Sequence, residues 1–382
     1  MAETKKKAMA EGSPFCTIRK VATGIDGLDD VLNGGVPEGV LTLLCGGPGS
    51  GKTMLGLEFL VRGAIAGTPG ILLTFEEKES ALRNYAVGFG WDVAALESAN
   101  KLALINARIP PEAILAGDFD LRGILSILQQ KAKAMGATRI LIDAPDVFLR
   151  LLGDVTLERT ELQVLHEWLL ANNMTTLMTV KGEDDQAFSS HYQFLEYMAD
   201  CVIRLDQRVL EQVTTRRLRI VKYRGSMYCP NEYPFSITSD GIWIIPVTRT
   251  NLQHRPFGAP ISSGIADLDA ILAGGYRRNS CTLISGSSGT GKTTLACSFV
   301  VSTIAAGERL LYLDFEESWD ALVSCMVSSG IALATAQETG RLRFDSVMPE
   351  SQGVEEHLVQ AFRAIDAFAP QFAMDAGQVR QR

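Results

Sequence analysis

Short apolar runs alternate with helically spaced apolar positions from residue 40 onward, the pattern of strands and helices taken in turn. Residues 40–45 (VLTLLC) form a largely apolar run of buried-strand length. Residues 54–66 follow, with Leu55, Phe59 and Ile65 at helical spacing. Further strands are predicted over 71–75, 139–143, 174–180 and 201–205, and further helices over 121–135 and 157–170. Such alternation requires crossover connections, so it predicts an α/β fold: a mostly parallel sheet with helices on both faces. Beyond residue 215 the pattern changes. Residues 216–221 alternate charged and apolar side chains, and short apolar runs follow at 235–237 and 242–245, which predicts antiparallel strands added at one sheet edge.

The chain repeats itself. Residues 24–77 and 264–317 align without a gap at an offset of 240, with 23 of 54 positions identical. A period this long exceeds any solenoid repeat and predicts two duplicated domains. The expected organisation is a polar, flexible tail at 1–14, a first domain at 15–246, a linker of polar and turn-forming residues at 247–260, and a second domain at 261–382. The second copy is short. Its segment PQFAMDA at 370–376 matches the strand ending at Asp143, the chain then gives only GQVRQR, and nothing corresponds to 151–245. A sheet cut there is expected to keep an unpaired edge and an uncovered apolar face. Either the chain is a fragment or frameshifted product, or the second copy is a remnant leaning on its neighbour.

Both copies carry GxxxxGK[ST], as GGPGSGKT at 46–53 and GSSGTGKT at 286–293. A flexible Gly/Ser turn has the same composition, but each match follows an apolar run, opens a helical stretch and recurs in register. Glycines at Gly47, Gly49 and Gly51, and at Gly289 and Gly291, let the backbone amides of the loop, with Ser50 and Thr290, curl round the phosphates of a nucleotide such as ATP. Lys52 and Lys292 supply a cation, while Thr53 and Thr293 offer a hydroxyl to Mg²⁺. Asp143, at the end of RILID, is the expected metal partner, since ligand sites lie at the carboxyl ends of parallel strands. Asp375 is expected in the matching place of the second copy.

Adjacent acids end the next strand in each copy: Glu76 and Glu77, then Glu316 and Glu317. One carboxylate there can orient and deprotonate an attacking water, and alternation along a strand leaves only one of each pair facing the γ-phosphate. Lys222 and Arg224 close the charged strand RRLRIVK. They suit either fingers reaching the nucleotide of an adjacent subunit or charges that keep an edge strand soluble. Thr179 and Lys181 are further candidates to sense the γ-phosphate, whereas His166 and His191 have no metal-spaced companions.

Composition narrows the classes. The net charge is −8, from 36 Lys+Arg against 44 Asp+Glu, which disfavours a protein built to bind nucleic acid. A RecA-like DNA-handling factor would have only diffuse candidates, Arg216, Arg217 and Arg219. No apolar run approaches the roughly 18–20 residues of a membrane span. Seven scattered cysteines without CxxC spacing fit reduced packing residues in a cytoplasmic protein.

With these motifs in place, the sequence resembles the KaiC family of RecA-like ATPases. The residues that carry the likeness are TGIDGLDDVLNGGVPEG at 23–39, the phosphate loop, TFEE at 74–77, RILID, KYRGS at 222–226 and NEYPFSIT at 231–238. The resemblance implies tandem RecA-like P-loop NTPase domains in a homo-hexamer with ATP between subunits. Lys52, Thr53 and Glu77 would act on one side of each interface, and Lys222 and Arg224 would come from the neighbour. It further implies ATP hydrolysis in the first domain, phosphorylation of a Ser/Thr pair by the second, and regulatory protein partners at a C-terminal tail. The acceptor pair and that tail lie beyond residue 382. The readings in hand are a Mg²⁺-dependent ATPase, a serine/threonine autokinase, a DNA-handling factor, and a nucleotide switch whose ring docks signalling proteins.

Overall fold

Strand β3 (Leu41–Gly46) lies inside a nine-stranded sheet in the computed structural model, which describes residues 18–107, 121–182, 193–210, 213–245, 256–351 and 353–376. The expected tail at 1–14, most of the expected linker (247–255 of 247–260) and His191 fall outside the described residues. The chain divides into two units, 1–208 with 215–248, and 209–214 with 249–382.

In the first unit, β1 (Lys20–Val21) and β2 (Val36–Pro37) pair on either side of α1 (Leu28–Val31). After β3 the chain runs through α2 (Lys52–Ile65), β4 (Gly70–Thr74), α3 (Glu79–Gly88), α4 (Val93–Ser98) and β5 (Leu102–Asn106). It continues through α5 (Leu121–Met135), β6 (Arg139–Asp143), α6 (Asp146–Leu152), α7 (Val155–Ala171), β7 (Thr175–Lys181) and α8 (Gln193–Met198). The last strands are β8 (Cys201–Leu210), β9 (Val213–Tyr223), β10 (Glu232–Thr238) and β11 (Gly241–Ile244).

The strand order is β11-β10-β9-β8-β3-β7-β6-β4-β5. Every pairing from β8 to β5 is parallel, and β10 is antiparallel to both β9 and β11. The α/β class, the parallel sheet and the antiparallel edge thus match expectation. Continuous apolar runs replace alternation because both faces of the sheet are covered. Leu141 of β6 joins the core under α1–α4, while Ile140 and Ile142 join the core under α5–α8. On α5, Leu121, Leu125, Leu128, Ala132 and Met135 recur at helical spacing and are all buried. Each large side chain so buried contributes about 1.5–3 kcal/mol.

The second unit contains β12 (Pro260–Ile261), α9 (Ala266–Ile271), β13 (Tyr276–Arg277) and α10 (Lys292–Ala305). Then come β14 (Leu310–Asp314), α11 (Trp319–Val327), α12 (Leu333–Glu338), β15 (Leu342–Ser346), α13 (Val354–Phe368) and β16 (Phe372–Ala376). Its main sheet has three parallel strands in the order β15-β14-β16. One expectation fails here. The apolar run before the second phosphate loop, residues 281–286, is not a strand, and Leu283 is 81% exposed where its counterpart Leu43 is buried. β3 is held from both sides by β7 and β8, and no described strand of the second unit flanks 281–286, so its backbone has no ladder to join. Among the described residues, no helix is long and apolar enough to cross a membrane.

Candidate functional site

The loop between β3 and α2 is built by two glycines in the left-handed region, Gly49 at φ 74° and Gly51 at φ 95°. A Cβ at either would be strained, so the tight curl requires glycine. The backbone N–H groups of Gly49, Gly51, Lys52 and Thr53 find no acceptor among the described residues, and Ser50 closes the curl by donating its hydroxyl to Gly47 O at 2.9 Å. Consecutive unpaired amides at the positive end of a 14-residue helix fit the oxygens of a phosphate chain. Lys52 Nζ folds back onto the loop, donating to Gly46 O and Gly47 O at 2.7 Å each. Burial lowers its pKa, opposed by the charges of Asp143 and Asp146.

Asp143 ends β6 beside this loop and is only 2% exposed. Thr53 Oγ1 donates to it, lying 3.1 and 3.2 Å from its two oxygens. Thr179 Oγ1, from β7, donates to Oδ1 at 2.8 Å. Burial raises the pKa of Asp143, and these two hydroxyl contacts oppose the shift. Among the described residues no group of three His, Cys, Asp or Glu could hold a metal by itself. One carboxylate and one hydroxyl suit a magnesium ion that takes its remaining ligands from phosphates and water.

The paired acids form a turn after β4. Thr74 Oγ1 accepts the N–H of Glu76 at 3.3 Å and of Glu77 at 3.1 Å, and Asn106 Nδ2 donates to Glu77 O at 2.8 Å. Thr74 sits opposite Asp143 in the β4–β6 register, so the acid turn and the Asp143 carboxylate lie at the same end of the parallel strands. Glu76 is exposed and Glu77 half-buried.

Lys222 and Arg224 lie elsewhere. Lys222 Nζ donates to Glu196 O at 2.6 Å, Arg224 Nη2 donates to Tyr197 O at 2.8 Å, and Arg224 lies 3.5 Å from Asp200. Both cations thus cap the carbonyl end of α8. The N–H of Arg224 donates to Asp200 O, at the entry of β8, whereas the phosphate loop stands at the exit of neighbouring β3, where Gly46 faces Leu205. Five residues of strand separate the two levels, roughly 15 Å. The basic pair is therefore at the opposite end of the parallel strands from its own chain's loop.

The second loop has the same curl. Gly289 and Gly291 have φ of 80° and 84°, Thr290 Oγ1 donates to Ser287 O at 2.8 Å, and Lys292 Nζ donates to Gly286 O at 2.8 Å and Ser287 O at 3.0 Å. Asp314 replaces Thr74, its Oδ1 accepting the N–H of Glu316 and of Glu317 at 2.8 Å each. Asp375 is not in the expected place. Thr74 faces Asp143, but Asp314 faces Ala376, so Asp375 stands where Ile142 would and points to the other face of the sheet. No hydrogen bond joins it to Thr293 among the described residues. The second unit has a single apolar core, under α10; Phe372 and Met374 pack against it, and their parity sends Asp375 away.

Sequence reasoning missed three contributors. Thr74 lies within the quoted TFEE motif, yet its role as acceptor for the turn needs the backbone geometry. Asp146, buried in the first turn of α6, carried no pattern. Lys20, which donates to Leu32 O, Asn33 O and Ser226 Oγ at 2.7–2.9 Å, pins the lead-in loop to KYRGS across 206 residues of sequence.

A parallel sheet with a glycine loop between β3 and α2, and a buried aspartate on β6, defines a RecA-like phosphate-loop domain. The model of the family described as "ATPase: KaiC" matches residues 21–249 and 261–374. The chain is 38% identical over 365 residues to the circadian clock protein KaiC2 of Synechocystis sp., covering 95% of this chain and 64% of that protein. It is 35% identical over 356 residues to the circadian clock oscillator protein KaiC of Acaryochloris marina, covering 92% and 68%. It is 33% identical over 356 residues to KaiC3 of Synechocystis sp., covering 92% and 70%. The chain belongs to the KaiC ATPase family, and it spans about two thirds of the length of these relatives.

Proposed function

We propose that the first unit binds Mg²⁺·ATP on residues 46–53 and hydrolyses it, in a ring of identical copies that serves signalling or circadian-type regulation. The observation that carries this is the set of unpaired loop amides at the same carboxyl end of the parallel strands as the Thr53–Asp143 pair and the acid turn. Lys52 exchanges the carbonyls of Gly46 and Gly47 for β- and γ-phosphate oxygens. Thr53 and Asp143 would hold the metal, which would neutralise charge on those oxygens. Glu77 orients the attacking water and takes its proton, with Glu76 beside it. The chain thus positions reactants and stabilises charge rather than entering covalent chemistry.

The position of Lys222 and Arg224 supports a composite site. At the strand ends away from their own loop, they suit the nucleotide of a neighbouring subunit, as in a head-to-tail hexamer. Release from Glu196 O and Tyr197 O is then part of assembly. Relatives named as circadian clock proteins support a regulatory role, and regulatory protein partners and a cytoplasmic setting go with that reading. Autokinase activity of the second unit has weaker support, because Asp375 lies out of step with Thr293.

Phosphate release from defined mixtures tests this. Lys52→Ala should lower the rate about 10²–10³-fold, the cost of losing a preorganised donor. Arg224→Ala should lower it by ~10³-fold or more. An equal mixture of the two variants should recover about a quarter of wild-type activity, because random head-to-tail assembly joins an intact loop to an intact finger at one interface in four. A mixture no more active than its components contradicts the composite site, and normal hydrolysis by Lys52→Ala contradicts the ATPase reading.

A further inference from the structure

The hydroxyl of Thr179 is committed at both ends. It is 2% exposed; Oγ1 donates to Asp143 Oδ1 at 2.8 Å and accepts the N–H of Ala144 at 2.9 Å. Ala144 has φ 53°, a conformation that residues with a Cβ avoid, so the chain turns sharply just after the carboxylate and Thr179 spans the turn. A threonine has one hydroxyl proton. Given to Asp143, it is not available to a phosphate oxygen, which removes Thr179 as a direct sensor of the γ-phosphate.

The two oxygens of Asp143 are not equivalent. Oδ1 receives the Thr179 hydroxyl and Oδ2 does not; the Thr53 hydroxyl lies 3.1 and 3.2 Å from the pair. Oδ2, with one hydroxyl neighbour where Oδ1 has two, therefore keeps the greater acceptor capacity. Resting on the Mg²⁺·ATP reading of the site, we propose that Thr179 is a positioning residue for the metal: it fixes the Asp143 carboxylate so that Oδ2 would stay available to help hold the ion together with the Thr53 hydroxyl. Groups that orient metal ligands from behind are generally worth about 10–100-fold in metal affinity.

The test compares the intact wild-type chain with Thr179→Val, which keeps the branched shape without the hydroxyl, and Thr179→Ser, which keeps the hydroxyl. Affinity for a fluorescent ATP analogue is titrated with Mg²⁺ and again with EDTA. The ratio of the two dissociation constants measures how far the metal strengthens binding, independently of turnover. Thr179→Val should lose about tenfold of that ratio while its EDTA affinity stays within about twofold of wild type, and Thr179→Ser should keep the ratio. Thr179→Ala carries the same expectation as Val if the bulkier side chain fails to pack. A wild-type ratio in Val or Ala overturns the assignment, as does an equal loss in Val and Ser or a loss confined to the EDTA arm. Wild-type chain that binds the analogue under neither condition overturns the Mg²⁺·ATP reading itself.

Discussion

The placing of Lys52 and Thr53 at the start of a helix, and of Asp143 at the end of a strand beside them, was legible in the sequence. The loop's spacing follows from backbone geometry, which few residue types can satisfy. The hydroxyl network behind them was not legible, because the Thr179–Asp143 bond crosses 36 residues and depends on strand register. Thr74 is a similar case, identifiable as part of a motif but not as the acceptor that shapes the acid turn. Thr74→Val should leave the N–H groups of Glu76 and Glu77 without that acceptor. Phosphate release should fall about tenfold while ATP affinity changes by less than about threefold, since a loosened turn mispositions the water rather than the nucleotide. Thr74→Ser should behave as wild type. Steady-state rates set beside direct binding check this, and an affinity loss as large as the rate loss would contradict it.

Among elements, the strands and helices of the first unit follow the apolar pattern closely, and α5 and β6 fall where the sequence puts them. The miss in the second unit has a physical cause. The apolar run at 281–286 carries strand character, but a strand exists only when its backbone groups are paired. The Asp375 register was likewise invisible, since it depends on which face has a core to receive Phe372 and Met374. A further element-level contact ties the phosphate-loop helix to the sheet edge. Glu58 of α2 is 0% exposed; it accepts the N–H of Ile242 at 2.7 Å and hydrogen bonds from Arg62 at 3.0 and 3.2 Å. Gly241 makes the room, since a Cβ there would collide with Glu58 Oε1.

Burial raises the pKa of Glu58, opposed by Ile242 and Arg62. A carboxyl whose folded pKa lies above its unfolded value binds its proton more tightly in the folded state, so its contribution to stability falls as pH rises from the ordinary carboxylate range through the raised value. Glu58→Gln does not titrate. Its stability relative to wild type should therefore improve as pH climbs from about 4 to neutrality. Denaturant unfolding across that range measures it, and a difference that stays constant or moves the other way would contradict the direction.

For the whole molecule, two copies of one phosphate loop stand in different surroundings. The first loop joins a nine-stranded sheet with covered faces, a buried aspartate and an acid turn at the same strand ends. The second keeps the curl and the lysine but lacks the aspartate at its side. The sequence repeat made the two look alike because identity is concentrated in the loop, whereas the differences lie in long-range pairing. The central claim is that the first loop grips Mg²⁺·ATP through its amides and Lys52. Calorimetric titration of ATP with Mg²⁺ into the full chain carrying Lys292→Ala, with and without Lys52→Ala, tests that claim most directly. Saturable binding near about one equivalent per chain, lost when Lys52 is also replaced, is the expected result. Absence of binding in the Lys292→Ala chain, or binding unchanged by Lys52→Ala, would contradict it.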